Sequence, residues 1–310
     1  MTGVIAILCS GQGGQHAGMF DLVAECTAAQ PVFAAASEHL GTDPRRLVQD
    51  PGAALFEDRI GQILCCTQAL ALWAALEEAR PARAVIAGYS VGELAAWGCA
   101  GAFAAETILQ LATRRAEVMD EAAPKNCGLA GIVGLRRPVL EPILARHATS
   151  IAIINDVDSF VVGGHVEALA ATCRDAAARG AIRTVMLRVS VPSHTLLLAQ
   201  AIPVFRAALH DATPHALAPR YRLLSGIDGD SVFDLETGCD KLARQIATPI
   251  NWAACLTACR TAGAETALEF GPGAALSHMA ARVFPEGRAR SAQDFRTLPG
   301  LQAWLVRTRD

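Results

Sequence analysis

Apolar residues 4–8 form a short unbroken run that leads at once into Gly11-Gln12-Gly13-Gly14-Gln15. A run of that length bounded by glycines predicts a buried strand over residues 3–9, a glycine loop, and a helix over about 19–28. Residues 63–79 are almost wholly apolar along one helical face, and residues 84–87 make a second short buried strand ending at Gly88-Tyr89-Ser90-Val91-Gly92. A helix is expected to open directly behind it at Glu93-Leu94-Ala95-Ala96-Trp97, and another to run over 105–122 with Arg114 and Arg115 on it. Strand, loop and helix in repetition predict an α/β core with a parallel sheet.

The pattern changes over 125–189. Strand (128–135), helix (138–147), strand (151–155), strand (159–163), helix (166–180) and strand (182–189) follow one another. That order, βαββαβ, is a self-sufficient ferredoxin-like unit. The expected organisation is therefore a large α/β domain of residues 1–124 and 190–310, interrupted by an inserted ferredoxin-like subdomain at 125–189. After it come helices over 196–210, 235–246 and 252–262, and strands near 220–225 and 266–270, the last ending in Gly271-Pro272-Gly273. No internal repeat or low-complexity tract is visible.

Composition narrows the class. The chain has 310 residues, 52% hydrophobic and 18% charged, yet no uncharged apolar run approaches the length of a transmembrane helix. The first apolar run is too short for a signal sequence and has no basic segment before it, so a soluble, cytoplasmic protein is expected. Lys plus Arg number 27 against 30 Asp plus Glu, and the net charge of −3 offers no general attraction to nucleic acid or an anionic membrane. The 10 cysteines are scattered without a CxxC pair, which suits reduced buried thiols. Cys255 and Cys259 would share a helical face, but two thiols fall short of the four ligands of a structural zinc site, and no metal is expected.

Gly88-Tyr89-Ser90-Val91-Gly92 fits GxSxG between a strand and a helix. The two glycines permit a tight turn that lifts the serine hydroxyl clear of the backbone, and the following helix aims free N–H groups at a developing oxyanion, which points to an α/β-hydrolase-like core. A serine hydroxyl needs a base within hydrogen-bonding reach. Of the 8 histidines, His194 stands out in Ser190-Val191-Pro192-Ser193-His194, where the chain re-enters the large domain, whereas His147, His165 and His210 fall at predicted helix ends. On the residues alone His194 is as readily structural as catalytic, because geometry is not legible in one sequence.

These motifs taken together resemble one family. Gly11-Gln12-Gly13-Gly14-Gln15, the GYSVGE at 88–93, Arg115, Asn155, the VPSH at 191–194, Gln245 before Pro249 and Trp252, and the GPG at 271–273 run in the order and spacing of malonyl-CoA:acyl-carrier-protein transacylases. The resemblance implies Ser90 as nucleophile, His194 as general base and later acid, and the backbone N–H groups of Gln12 and Val91 as oxyanion hole. It implies Arg115 as partner of the malonyl carboxylate, Gln245 as the group holding His194 in place of a triad Asp, and Asn155 as a lining residue. It implies malonyl-CoA and an acyl carrier protein as partners, with no cofactor besides the coenzyme A thioester that is the substrate. Arg114 and Arg115 lie about 100° apart on a helix, so only one can face the pocket.

Two features depart from the family pattern: Tyr89 stands where His is usual, and the first loop reads CSGQGGQ. With Arg222-Leu223-Leu224-Ser225-Gly226 and the stretch 291–304, they are more similar to the transacylase (epsilon) subunit of bacterial malonate decarboxylase. That likeness implies the decarboxylase carrier subunit, with its phosphoribosyl-dephospho-CoA thiol, as acceptor. Three other readings stay open: a transacylase for a non-malonyl donor, a serine hydrolase or thioesterase using Asp156, Asp158 or Asp175, and a docking subunit that keeps only the fold.

Overall fold

A computed structural model describes residues 3–50 and 54–308. The first half of the chain runs β1 (Val4–Cys9), α1 (Gln30–Leu40), α2 (Pro44–Leu47), α3 (Asp58–Ala75), β2 (Ala84–Gly88), α4 (Gly92–Cys99) and α5 (Ala105–Ala122). Next come β3 (Cys127–Val133), α6 (Arg137–His147), β4 (Ser150–Asp156), β5 (Ser159–His165), α7 (Val166–Ala178) and β6 (Arg183–Met186). The chain then continues through α8 (Ala201–Asp211), β7 (Tyr221–Leu223), α9 (Leu235–Arg244), β8 (Ile250–Asn251) and α10 (Trp252–Thr261). It closes with β9 (Ala264–Phe270), α11 (Ala275–Ala280), β10 (Ala289–Ser291) and α12 (Leu298–Arg307).

β1 is central in a parallel sheet of order β10-β9-β1-β2-β7. Its side chains alternate between two cores, Ile5, Ile7 and Cys9 on one face and Ala6 and Leu8 on the other, as the two-residue period of a strand requires. α3, buried nearly all round, fills the larger core with α4 and α5. The register sets Cys9 opposite both Gly88 and Phe270, so β1, β2 and β9 end level with one another. The three loops that follow them, after Cys9, Gly88 and Phe270, therefore gather at the carboxyl edge, where open parallel sheets place their ligands.

The second sheet has order β6-β3-β5-β4-β8. β3, β4, β5 and β6 pair antiparallel as two interleaved βαβ units. Ala130, Ile132, Phe160 and Val162 on one face pack with Ile143, Leu144 and Leu169 of α6 and α7. Leu129, Ile153 and Val161 on the opposite face pack with Leu8, Leu224 and Trp252, which seats this sheet against the first. A fifth strand, β8, joins parallel to β4 from far along the chain. Two residues carry no periodicity, so this strand is invisible in sequence.

The helix expected over 19–28 is absent. That stretch makes successive tight turns, with Met19 N–H donating to the His16 carbonyl, Asp21 to Gly18 and Val23 to Phe20, and still buries Met19, Phe20 and Val23. The helix comes later, as α1, with Pro31 in its first turn and Gly41 at its end at φ 71°. The helix expected over 196–210 is broken into a short turn at Leu196–Leu198 and α8. Pro203 has no N–H for the Ala199 carbonyl and its ring crowds that oxygen.

Candidate active site

Ser90 sits between the end of β2 and the start of α4 with φ 58°, a left-handed conformation that a non-glycine residue adopts only where its surroundings impose it. Its neighbours explain how. A Cβ on Gly88 would overlap the backbone of Gly92 and Glu93, and one on Gly92 would overlap the carbonyl of Cys9. One on Gly11 would lie 2.6 Å from the Tyr89 carbonyl oxygen. The turn is thus pressed against the end of β1 and the glycine loop, and Tyr89 N–H donates to the Cys9 carbonyl at 2.9 Å. The main-chain N–H groups of Val91, at the mouth of α4, and of Gln12 have no protein acceptor among the described residues. Free donors of this kind beside a serine suit a developing oxyanion.

His194 Nε2 lies 2.8 Å from Ser90 Oγ. Its other ring nitrogen, Nδ1, donates to the main-chain carbonyl of Gln245 at 2.6 Å, and its backbone N–H donates to the Ile246 carbonyl at 2.7 Å. His194 also has a left-handed backbone, φ 63°, and is 1% exposed. Burial, with the charge of Arg115 adding to it and the Gln245 carbonyl opposing, pushes the imidazole down to about 3. The ring is therefore neutral, with the proton on Nδ1 and the lone pair of Nε2 facing the serine hydroxyl, the state a general base requires.

Arg115 is completely buried, whereas Arg114 pairs at the surface with Glu117. The Arg115 guanidinium donates to Gln62 Oε1 at 2.8 Å and to Gln245 Oε1 at 2.9 Å, and its Nε finds no acceptor among the described residues. Two carboxylates stand one residue further out. Asp58 accepts from Gln62 Nε2 at 2.7 Å, and Glu93 accepts from Gln245 Nε2 at 2.6 Å. Neutral amides thus separate the cation from both acids. Burial pushes Asp58 up to about 6 and Glu93 up to about 7. The buried guanidinium thus keeps one idle donor, Nε, and has no direct counter-ion.

The site opens into a cleft of about 460 Å³ between the two sheets. Gln12, Ser90, His194 and Asn155 line it with the Pro272 loop, and Leu129, Val161 and Leu187 give it an apolar wall. Arg115 and Gln245 lie outside that lining, on the buried side of the Ser90–His194 pair. Asn155 Oδ1 accepts from the Tyr89 hydroxyl at 3.1 Å, and the Tyr89 ring stands edge-on to Trp252 at 5.4 Å. The Gln12 side chain turns away toward Asp58, leaving its backbone to the cleft.

Sequence reasoning missed Gln62, Asp58 and Glu93. The signal was present: polar residues spaced by four at the start of an otherwise apolar helix, and a glutamate directly after a glycine elbow, are buried polar groups that need partners. Asp156 and Asp175, open to a hydrolase reading, pair instead with Arg282 and with Arg146, Arg179 and His147. All ten cysteines are free, and no cluster among the described residues has the three or more side chains a metal ion needs. No helix among the described residues is long and apolar enough to cross a membrane.

Comparison with known proteins agrees with this geometry. The acyl transferase domain family matches residues 7–294. A malonyl CoA-acyl carrier protein transacylase of Escherichia coli is 30% identical over 286 residues, covering 90% of this chain and 92% of that protein. The solved malonyl CoA-acyl carrier protein transacylase of Coxiella burnetii superposes with a TM-score of 0.90 at 25% identity, over 100% of this chain and 99% of that one. A malonyl-transacylase solved in complex with its type II PKS acyl-carrier protein superposes with a TM-score of 0.84 at 26% identity, over 94% of each chain. With a serine elbow, a backbone-oriented histidine and a match over nearly its whole length, the chain belongs to the acyl transferase domain family.

Proposed function

We propose that the chain is a malonyl-CoA:acyl-carrier-protein malonyltransferase working through a malonyl ester on Ser90. The observation that carries the proposal is the unneutralised, buried Arg115 joined through Gln245 to the Ser90–His194 pair. His194 Nε2 takes the hydroxyl proton as Ser90 Oγ attacks the thioester carbonyl, and the oxyanion is met by the N–H groups of Gln12 and Val91. The tetrahedral adduct collapses, the C–S bond breaks, and His194 returns the proton to the departing coenzyme A sulfur. The thiol of the carrier then gives its proton to His194, attacks the acyl-serine and leaves as the malonyl thioester, with the proton restored to Ser90. Arg115 holds the free carboxylate of the malonyl group throughout. Asn155, fixed by Tyr89, lines the acyl end of the cleft from the second sheet.

Coenzyme A enters as substrate and leaves as product, and no other cofactor is needed for this chemistry. Residues 125–189 act as the inserted unit that closes the cleft over Ser90. The acceptor class is tested by mixing the purified chain and labelled malonyl-CoA with a phosphopantetheinylated acyl carrier protein, and separately with a malonate decarboxylase carrier subunit. Label on a carrier thiol supports transfer and identifies the acceptor. Release of free malonate without labelled carrier would replace the proposal with hydrolysis.

A further inference from the structure

Acyl transfer as described leaves Glu93 without a task, although it is buried in the first turn of α4 and 1% exposed. Its Oε2 accepts from Gln245 Nε2 at 2.6 Å and from the Gly226 N–H at 3.0 Å. Gln245 is the hub of the site: its main-chain carbonyl holds His194, its Oε1 faces Arg115, and its Nε2 also donates to the Ser90 carbonyl at 3.1 Å. A side-chain amide has two orientations. In the one observed, every contact joins a donor to an acceptor. Reversed, its N–H groups would face the guanidinium and its oxygen would face a carboxylate and a carbonyl, so none of these contacts would join a donor to an acceptor.

We propose that Glu93 is a positioning residue that fixes the amide of Gln245 with its oxygen toward Arg115, and so holds the guanidinium in place for acyl groups that carry a free carboxylate. The inference rests on the malonyl-transfer reading and deepens it. Without Glu93 only the Ser90 carbonyl and the guanidinium itself would orient the amide. Both bonds fall on Oε2, so the role survives protonation at Oε1, and burial that raises this carboxyl leaves the amide held. Gly226 belongs to the same device. A Cβ there would lie 2.6 Å from Glu93 Oε2, so a side chain at this position would make the carboxylate shift. This gives a purpose to the glycine of Ser225-Gly226, which the transfer steps do not use.

The test is the rate of Ser90 acylation in the full chain with malonyl-CoA and with acetyl-CoA, alongside the melting temperature. Glu93→Ala is expected to lower kcat/KM for malonyl-CoA by about ten- to a hundredfold, the range of one hydrogen bond to a charged group, and for acetyl-CoA by less than about threefold. Glu93→Gln, which still offers an oxygen to Gln245, restores malonyl acylation to within about threefold of the native rate. Gly226→Ala, which displaces the carboxylate without removing it, shifts the donor ratio in the same direction and serves if Glu93→Ala fails to fold. In a Gln245→Ala background, Glu93→Ala has no further effect on the ratio. Equal losses for both donors, or additive effects in that background, would overturn the inference. A native chain that shows no preference for malonyl-CoA would overturn the malonyl reading itself, whereas an unchanged ratio in Glu93→Ala with a selective native chain overturns only the role of Glu93.

Discussion

The imidazole of His194 is oriented by the main-chain carbonyl of Gln245, 2.6 Å from Nδ1, and not by any side-chain carboxylate. The dyad therefore needs the backbone path at residue 245 but not the side chain there. Gln245→Ala is expected to keep acetyl self-acylation within about tenfold of native, while His194→Ala loses about a thousandfold, the usual worth of a general base. Single-turnover acylation rates check this, and equal losses in the two variants would contradict it.

The pH dependence follows from the buried ring. A histidine pushed down to about 3 is neutral at every pH above that value, so the base form is already present well below its ordinary 6.5. The acylation rate is expected to show no acid limb near 6.5. Rates measured between pH 5 and 8 in native protein, Glu93→Gln and Asp58→Asn decide the matter: a limb centred near 6.5 that persists without these two raised carboxyls would mean that the ring is solvated and titrates normally.

The proposed function assigns donor selectivity to Arg115. Arg115→Ala is expected to lower kcat/KM for malonyl-CoA by about a hundredfold or more, since a buried charge loses its partner, while acetyl-CoA is much less affected. Arg115→Lys recovers only part of the loss, because an ammonium lacks the planar fork that meets a carboxylate through two hydrogen bonds. Comparable losses for both donors would assign Arg115 to folding.

The elbow has no room. Gly92→Ala places a methyl against the Cys9 carbonyl at the end of the central strand and is expected to destabilise the protein by about 3 kcal/mol. Chemical denaturation measures the effect, and a loss below about 0.5 kcal/mol, the scale of a neutral surface change, would show that the turn has slack.

What was legible in the sequence and what was not divides along physical lines. Ser90 could be read because a tight strand-to-helix turn demands glycines at fixed positions, and those glycines are printed in the chain as Gly88 and Gly92. Gln245 was expected to hold His194; the contact between them is made by the Gln245 main-chain carbonyl, and a main-chain contact leaves no trace in residue identity. Apolar periodicity marked α3 and α5, yet it suggested a helix over 19–28 because Met19, Phe20 and Val23 are buried by turns that share the helical spacing. The polar layer of Asp58, Gln62 and Glu93 is a property of several elements brought together, and only the three-dimensional arrangement shows that neutral amides stand between Arg115 and both acids.

The central claim is that Ser90 carries the acyl group, and intact-mass measurement tests it most directly. Native protein and Ser90→Ala are mixed briefly with malonyl-CoA, beside acetyl-CoA, and quenched in acid. The account predicts a single malonyl adduct on the native chain, a weaker acetyl adduct, and none on Ser90→Ala. A malonyl adduct on Ser90→Ala, or none on the native chain while coenzyme A accumulates, would contradict it.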